Sequence, residues 1–332
     1  MRPPTATIGA VASPLPAEPL RGRFAPSPTG KLHLGNAWAA LCAYATSRAT
    51  GGRFVLRVED LDPARSRPGL VREQLEDLRW LGLSWDEGPD VGGPVGPYVQ
   101  SEREDHYARA LGRLETFPCT CTRRELRKAW DRAEPGAAAG RRPYPGTCLR
   151  AGPRPGRPAA RRWVVPAGPV AYTCLFHGRG RGDPAAEVGA PVLRRSDGAF
   201  AYTLAVVVDD AAMGIDVVVR GRDLLAETPL QVALARALGL RVPRYLHVPL
   251  VLGPRGHKLS KRAGGLSLAA LRRAGAAPEA VVAALARGMG LCGPSCRRLS
   301  ADEFVAVFDP RRIRRDDWVF DPEATAAAIV AG

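Results

Sequence analysis

The spacing of apolar and polar positions changes several times along the chain, and each change marks an element. "RGRFAPSP" (21–28) predicts a short strand ended by its prolines. Leu34, Trp38, Leu41 and Ala45 follow at helical spacing, and Gly51-Gly52 closes that helix. "RFVLRVEDLD" (53–62) alternates as a strand does and ends in acids, and Val71, Leu75, Leu78 and Leu81 mark the next helix. This strand–helix–strand–helix order predicts a parallel, doubly wound sheet.

The pattern then breaks. Residues 115–200 mix cysteines with a Gly/Ala/Arg segment (134–142) and a Pro/Arg/Gly segment (150–162). Regular order returns with "FAYTLAVVVDD" (200–210), which predicts a buried strand, and "DVVVRG" (216–221) predicts another. Leu230, Ala233, Leu234 and Leu238 give a helix, and "YLHVPLVLG" (245–253) a further strand. One α/β domain split by an insertion accounts for this order. The expected boundaries are a loose tail over 1–20, the split domain over 21–114 and 196–262, an insertion over 115–195, and short helices over 263–332.

Composition adds three constraints. With 332 residues and 45% hydrophobic, the chain can build a sizeable core, which excludes wholesale disorder. A net charge of +15 suits a protein that works beside a polyanion. No apolar run reaches the ~18 residues of a membrane span, and prolines interrupt the first 20 residues where a signal peptide needs an apolar core. A cytoplasmic, monomeric protein is the expectation, and there the seven cysteines serve as thiols or metal ligands rather than disulfides.

Two stretches carry chemistry. In "FAPSPTGKLHLGNAW" (24–38) a strand, a sharp turn and a helix starting near His33 create an anion site from free N–H groups. Gly35 allows close approach to the backbone, and His33 can donate to a phosphate oxygen. In "GHKLSKR" (256–262), Lys258 and Lys261 flank Ser260 in a basic loop suited to neutralising a triphosphate. These are two of only four lysines among 48 Lys+Arg, so their ammonium groups stand out from the arginine background. No G-x-x-x-x-G-K-[ST] loop is present. Cys119, Cys121 and Cys148 lie in one irregular segment and suggest a structural zinc site, with Cys174 or His177 downstream as possible fourth ligands. Cys42, Cys292 and Cys296 read as ordinary cysteines.

Together, "HLGN" and "KLSKR" resemble the paired signatures of the class I aminoacyl-tRNA synthetases, H-[IL]-G-H and K-M-S-K-S. Asn36 stands where that pattern has a second histidine, and Arg262 where serine is usual. More narrowly, "RFAPSPTGKLHLGN", "RVEDLD", "FAYTLAVVVDDAAMGIDVVVRGRDLL" and "YLHVPLVL" resemble the glutamyl synthetases. The resemblance implies a Rossmann-like catalytic domain split by a zinc-containing insertion. It implies ATP as substrate with Mg, and His33, Gly35, Asn36, Lys258 and Lys261 around the phosphates. It implies glutamate contacts from Arg23, Phe24, Ala25, Pro26, Ser27, Glu59, Tyr202 and Arg220. It also points to Tyr144, through C-x-C…Y-x-x-x-C, as the fourth zinc ligand. Only 70 residues follow Arg262, short of the family's helical anticodon-binding region. "YPGTC" and "GRDLL" resemble the truncated branch that attaches glutamate to queuosine in tRNA(Asp). The alternatives are a conventional core charging a tRNA 3′ end and a non-catalytic basic tRNA-binding protein.

Overall fold

The computed structural model describes residues 14–133, 142–254, 256–257 and 266–330. The first half of the main α/β unit runs β1 (Gly22–Phe24), α1 (Leu34–Arg48), β2 (Phe54–Leu56), α2 (Pro68–Trp80) and α3 (Glu104–Gly112). β1 and β2 are buried along their whole length, as strands covered on both faces must be, and they pair in parallel from Gly22 opposite Phe54 to Phe24 opposite Leu56.

The chain then forms β3 (Thr116–Cys119), α4 (Arg123–Ala133), α5 (Thr147–Ala151), β4 (Ala160–Trp163), β5 (Val170–Cys174), β6 (Gly178–Gly182), α6 (Pro184–Glu187) and β7 (Val192–Arg194). Among the described residues, β3-β4-β7 make a small antiparallel sheet of their own. Residues 170–182 depart from the expected insertion. β5 pairs in parallel with a later strand, and β6 pairs antiparallel with β5, so both belong to the main sheet. Val170, Tyr172 and Cys174 point into the core while Ala171 and Thr173 face out.

The second half contains α7 (Tyr202–Ala212), β8 (Val217–Gly221), α8 (Thr228–Ala237), β9 (Arg244–Val248) and β10 (Val251–Leu252). The stretch expected as a strand over 200–210 is therefore mostly helix. Leu204 through Asp210 are all buried, so no polar face interrupts the run. Periodicity cannot separate a helix buried on every side from a strand. The expected strand over 245–253 is interrupted at Pro249-Leu250, which lie between β9 and β10. The main sheet has the order β2-β1-β8-β9-β5-β6, parallel except for the edge strand β6.

The last part comprises α9 (Leu268–Arg273), α10 (Pro278–Gly288), α11 (Ala301–Val307), β11 (Trp318–Val319) and α12 (Pro322–Val330). It packs against the main α/β unit. Phe304 meets Trp38 edge-on at 6.1 Å, and β11 pairs in parallel with β10. Among the described residues no helix is long and apolar enough to cross a membrane.

Candidate active site

His33 ends the turn after β1 and caps α1. Its Nδ1 accepts from the N–H groups of Gly35 (3.1 Å) and Asn36 (3.3 Å), while the Asn36 Oδ1 accepts from the His33 N–H at 3.1 Å. This reciprocal box occupies one nitrogen of His33 and the oxygen of Asn36. With Nδ1 accepting, a neutral His33 ring carries its proton on Nε2, and the Asn36 side chain has its amide nitrogen as donor end. A Cβ on Gly35 would lie 3.0 Å from the imidazole, so glycine is what lets the ring fold over the helix start.

Lys258 and Lys261 lie outside the described residues. The described chain resumes at Leu266. Leu34 N–H donates to Leu266 O at 3.3 Å and Leu268 N–H to Leu32 O at 2.9 Å. Leu266 and Leu268 therefore lie directly beside the His33 cap.

Beneath this edge sits a buried charge network. Arg23 holds Asp210 through two nitrogens at 3.1 and 3.3 Å, and Arg57 binds Asp210 at 2.8 Å and Glu59 at 3.0 Å. Arg103 binds Asp209 at 2.7 Å, with Gln100 and Tyr107 donating to the same carboxylate at 2.8 Å each. Three arginines thus meet three carboxylates. Burial alone would raise the Asp210 carboxyl, but the charges and hydrogen bonds of Arg23 and Arg57 outweigh it and hold the group below its ordinary value. Glu59 goes the other way. Burial raises its carboxyl, and the charges of Arg57 and Arg23 offset this only in part.

Arg220 is built differently. It is buried at the end of β8, and its acceptors among the described residues are all neutral: His247 Nε2 (3.1 Å), Gln231 Oε1 (2.7 Å), Thr228 Oγ1 (2.9 Å) and Leu224 O (3.3 Å). Its guanidinium also lies over the Tyr245 ring at 5.2 Å. Burial and the Arg220 charge push His247 well below its ordinary range, so it stays an uncharged acceptor.

One cavity of about 740 Å³ joins these parts. Arg23, Phe24, Ala25, Pro26, Ser27, Glu59, Tyr202 and Arg220 all line it, together with His33 and Asn36. Tyr202, the first residue of α7, is 37% exposed into this space.

The thiols converge elsewhere, on the small sheet. The sulfurs of Cys119, Cys121 and Cys148 lie within 4.8 Å of one another. Tyr144 Oη is 3.4 Å from the Cys119 sulfur and 3.9 Å from that of Cys121, and Cys121 and Cys148 are 3.4 Å apart. A tetrahedral zinc with bonds of about 2.3 Å requires sulfur–sulfur edges of about 3.8 Å, so this donor set fits the ion. Burial and the Cys119 thiol raise the Tyr144 phenol above its ordinary value, and the Cys148 N–H, which donates to Oη at 2.8 Å, opposes them. Burial would raise the Cys148 thiol, yet hydrogen bonds from Thr120, Cys121 and Tyr144 bring it down to about 7. The other two possible ligands are not here. Cys174 is on β5 with its sulfur 3.4 Å from His247 Nδ1, and His177 lies in the β5–β6 turn beside Phe176.

The family of tRNA synthetases class I (E and Q), catalytic domain, matches residues 19–324. The chain belongs to this family. Within it, the chain is 48% identical to a glutamyl-Q tRNA(Asp) synthetase of Symbiobacterium thermophilum, over 94% of this chain and 99% of that one. It is 47% identical to a glutamate–tRNA ligase 2 of Alkalilimnicola ehrlichii, over 81% of this chain and 58% of the relative. Its fold matches the crystal structure of a glutamate-tRNA synthetase from Elizabethkingia anophelis with a TM-score of 0.77 and 30% identity, covering 93% of this chain and 69% of that one.

Several residues that shape this synthetase's cavity were not picked out from sequence. Arg57, Arg103, Asp209 and Asp210 hold Arg23 and Glu59 in place, and Gln231 and His247 hold Arg220. One signal was available. A double acid closing an apolar run, as Asp209-Asp210 does, must find cationic partners once the run is buried.

Proposed function

We propose that the chain activates L-glutamate with ATP, without tRNA, and passes the glutamyl group to queuosine in tRNA(Asp). Arg220 carries the first half of this reading. A buried guanidinium whose acceptors among the described residues are all neutral, on the wall of the cavity that His33 also lines, suits a carboxylate substrate placed beside phosphates. Glu59 takes the substrate ammonium, and Arg23, Tyr202 and the Phe24–Ser27 backbone complete the glutamate site. Similarity to the Symbiobacterium thermophilum relative over nearly its whole length supports queuosine as the acceptor.

In the first step an α-carboxylate oxygen of glutamate attacks the α-phosphorus of ATP in line. The bond to pyrophosphate breaks and glutamyl-adenylate forms. His33 Nε2–H, the Asn36 amide, the α1 N-terminus at Gly35, and Lys258 and Lys261 neutralise the phosphate charge. Mg accompanies ATP. In the second step a hydroxyl of the queuosine ring attacks the glutamyl carbonyl and AMP leaves. Cys119, Cys121, Cys148 and Tyr144 would hold zinc, which supplies cross-linking of the insertion rather than reaction chemistry.

The test has two stages. Purified protein should catalyse glutamate-dependent exchange of pyrophosphate into ATP with no RNA present. Labelled glutamate should then load onto queuosine-bearing tRNA(Asp) whose terminal adenosine has been removed, and not onto the same tRNA lacking queuosine. If loading requires the terminal adenosine or prefers tRNA(Glu), the chain is a conventional charging enzyme, as the name of the Alkalilimnicola ehrlichii relative suggests. No exchange at all would leave a tRNA-binding protein.

The zinc assignment has its own check. Elemental analysis should find one zinc per chain. Cys148→Ser should lower zinc content and reduce the melting temperature by on the order of 5 °C, since structural zinc contributes directly to folding. Full zinc occupancy in Tyr144→Phe would remove Tyr144 from the ligand set.

A further inference from the structure

We propose that Gln231, with His247 and Thr228, forms a deliberately uncharged cradle that keeps the Arg220 charge available for the substrate carboxylate. This inference rests on Arg220 being a glutamate receptor, as proposed above.

The buried arginines among the described residues fall into two kinds. Arg23, Arg57 and Arg103 each bind a buried carboxylate. Arg220 donates to an imidazole, an amide oxygen, a hydroxyl and a backbone carbonyl. Four of the five N–H groups of a guanidinium are engaged by these bonds, so the side chain is fixed in position without being neutralised.

Gln231 shows that neutrality has a cost here. Its Oε1 accepts from Arg220 Nη1 at 2.7 Å, but its Nε2 is buried and has no hydrogen-bond partner. An orphaned buried donor costs about 1–3 kcal/mol. A glutamate at 231 would offer the same acceptor to the same nitrogen, leave no orphan N–H, and form a buried ion pair. The acid would bond Arg220 more strongly, at the desolvation cost of a buried carboxylate, and would neutralise it; the amide is present instead. The same logic applies to His247. Its Nε2 accepts from Arg220, so a neutral ring carries its proton on Nδ1, which faces the Cys174 sulfur at 3.4 Å. Burial raises the Cys174 thiol, which keeps that partner uncharged as well. Among the described residues no hydrogen-bond partner of Arg220 carries a negative charge, so an anion entering the cavity meets an unneutralised cation.

The deciding measurement is glutamate-dependent pyrophosphate exchange with the full chain. Gln231→Glu changes charge and almost nothing in shape. It should raise KM for glutamate at least roughly 30-fold, since a resident carboxylate takes the place of the substrate's. KM for ATP should stay within about 2-fold, and the melting temperature should hold or rise. Gln231→Leu, which loses the hydrogen bond without adding charge, should raise glutamate KM less than Gln231→Glu. A glutamate KM within 2-fold of wild type in Gln231→Glu, or a larger defect in Gln231→Leu, overturns the inference. Should Gln231→Glu fail to fold, the pair His247→Gln and His247→Glu decides in the same way, with only the acid expected to impair glutamate binding. Arg220→Lys separates the two levels. If it leaves glutamate KM unchanged, the glutamate-site reading fails. If it raises KM while the charge-adding variants do not, only the cradle fails.

Discussion

Asp210→Ala is expected to destabilise the protein by about 3–5 kcal/mol, read as a fall in the urea midpoint. Asp210 is the shared counter-ion of Arg23 and Arg57, which are 4% and 0% exposed. Removing one partner of a buried ion pair leaves an uncompensated charge in a poorly solvated site, and that penalty exceeds what the pair contributed. Here a single deletion strands two guanidinium groups. Activity should fall as well, because Arg57 also holds Glu59 at 3.0 Å and Arg23 lines the cavity itself. The pH dependence follows from the sign of the shift. The folded-state Asp210 carboxyl lies below its ordinary value, so its contribution is present above the unfolded value near 4 and is lost as pH falls through the folded one. The alanine variant should therefore lose less of its stability in acid than the wild type does. An unchanged midpoint would mean that Arg23 and Arg57 find other partners.

The network explains what local sequence could and could not reveal. The residues proposed to meet glutamate and phosphate sit in short blocks whose spacing is itself the signal, and ten of them line one cavity. Their supports are invisible locally. Arg57 and Asp210 are 153 positions apart, and Arg103 and Asp209 are 106 apart. No window of sequence contains both members of either pair. The 200–210 misreading had a different cause. Val206, Val207 and Val208 favour strands, but α7 is covered on all sides, and burial overrode propensity. Strand β6 was not legible because "GRGRG" has no apolar side chain to announce a strand. Gly180 there would crowd the Tyr172 ring with any Cβ, so the strand is defined by its partner β5 and not by its own composition.

Glu59→Gln should raise KM for glutamate roughly 30- to 150-fold while leaving KM for ATP nearly unchanged, because it deletes a charged partner worth about 2–3 kcal/mol. Glu59 side-chain exposure is only 8%, and a neutral amide there cannot balance an ammonium taken out of water. The wild-type pH profile provides the sharper check. Burial raises the Glu59 carboxyl above its ordinary value, with Arg57 and Arg23 opposing. For a carboxylate raised in this way, the charged form is lost earlier as pH falls. Its contribution to folding has the opposite sign from that of Asp210: the cost of a buried charge is relieved as the group protonates. Its contribution to binding vanishes over that same range. The wild-type kcat/KM for glutamate should therefore decline on the acid side before free carboxylates near 4.3 begin to titrate. Glu59→Gln should lack this limb and show only the decline that belongs to the substrate's own side-chain carboxylate. A variant profile superimposable on that of the wild type would mean that Glu59 is held by Arg57 as a structural acid and that the substrate ammonium is met by another group.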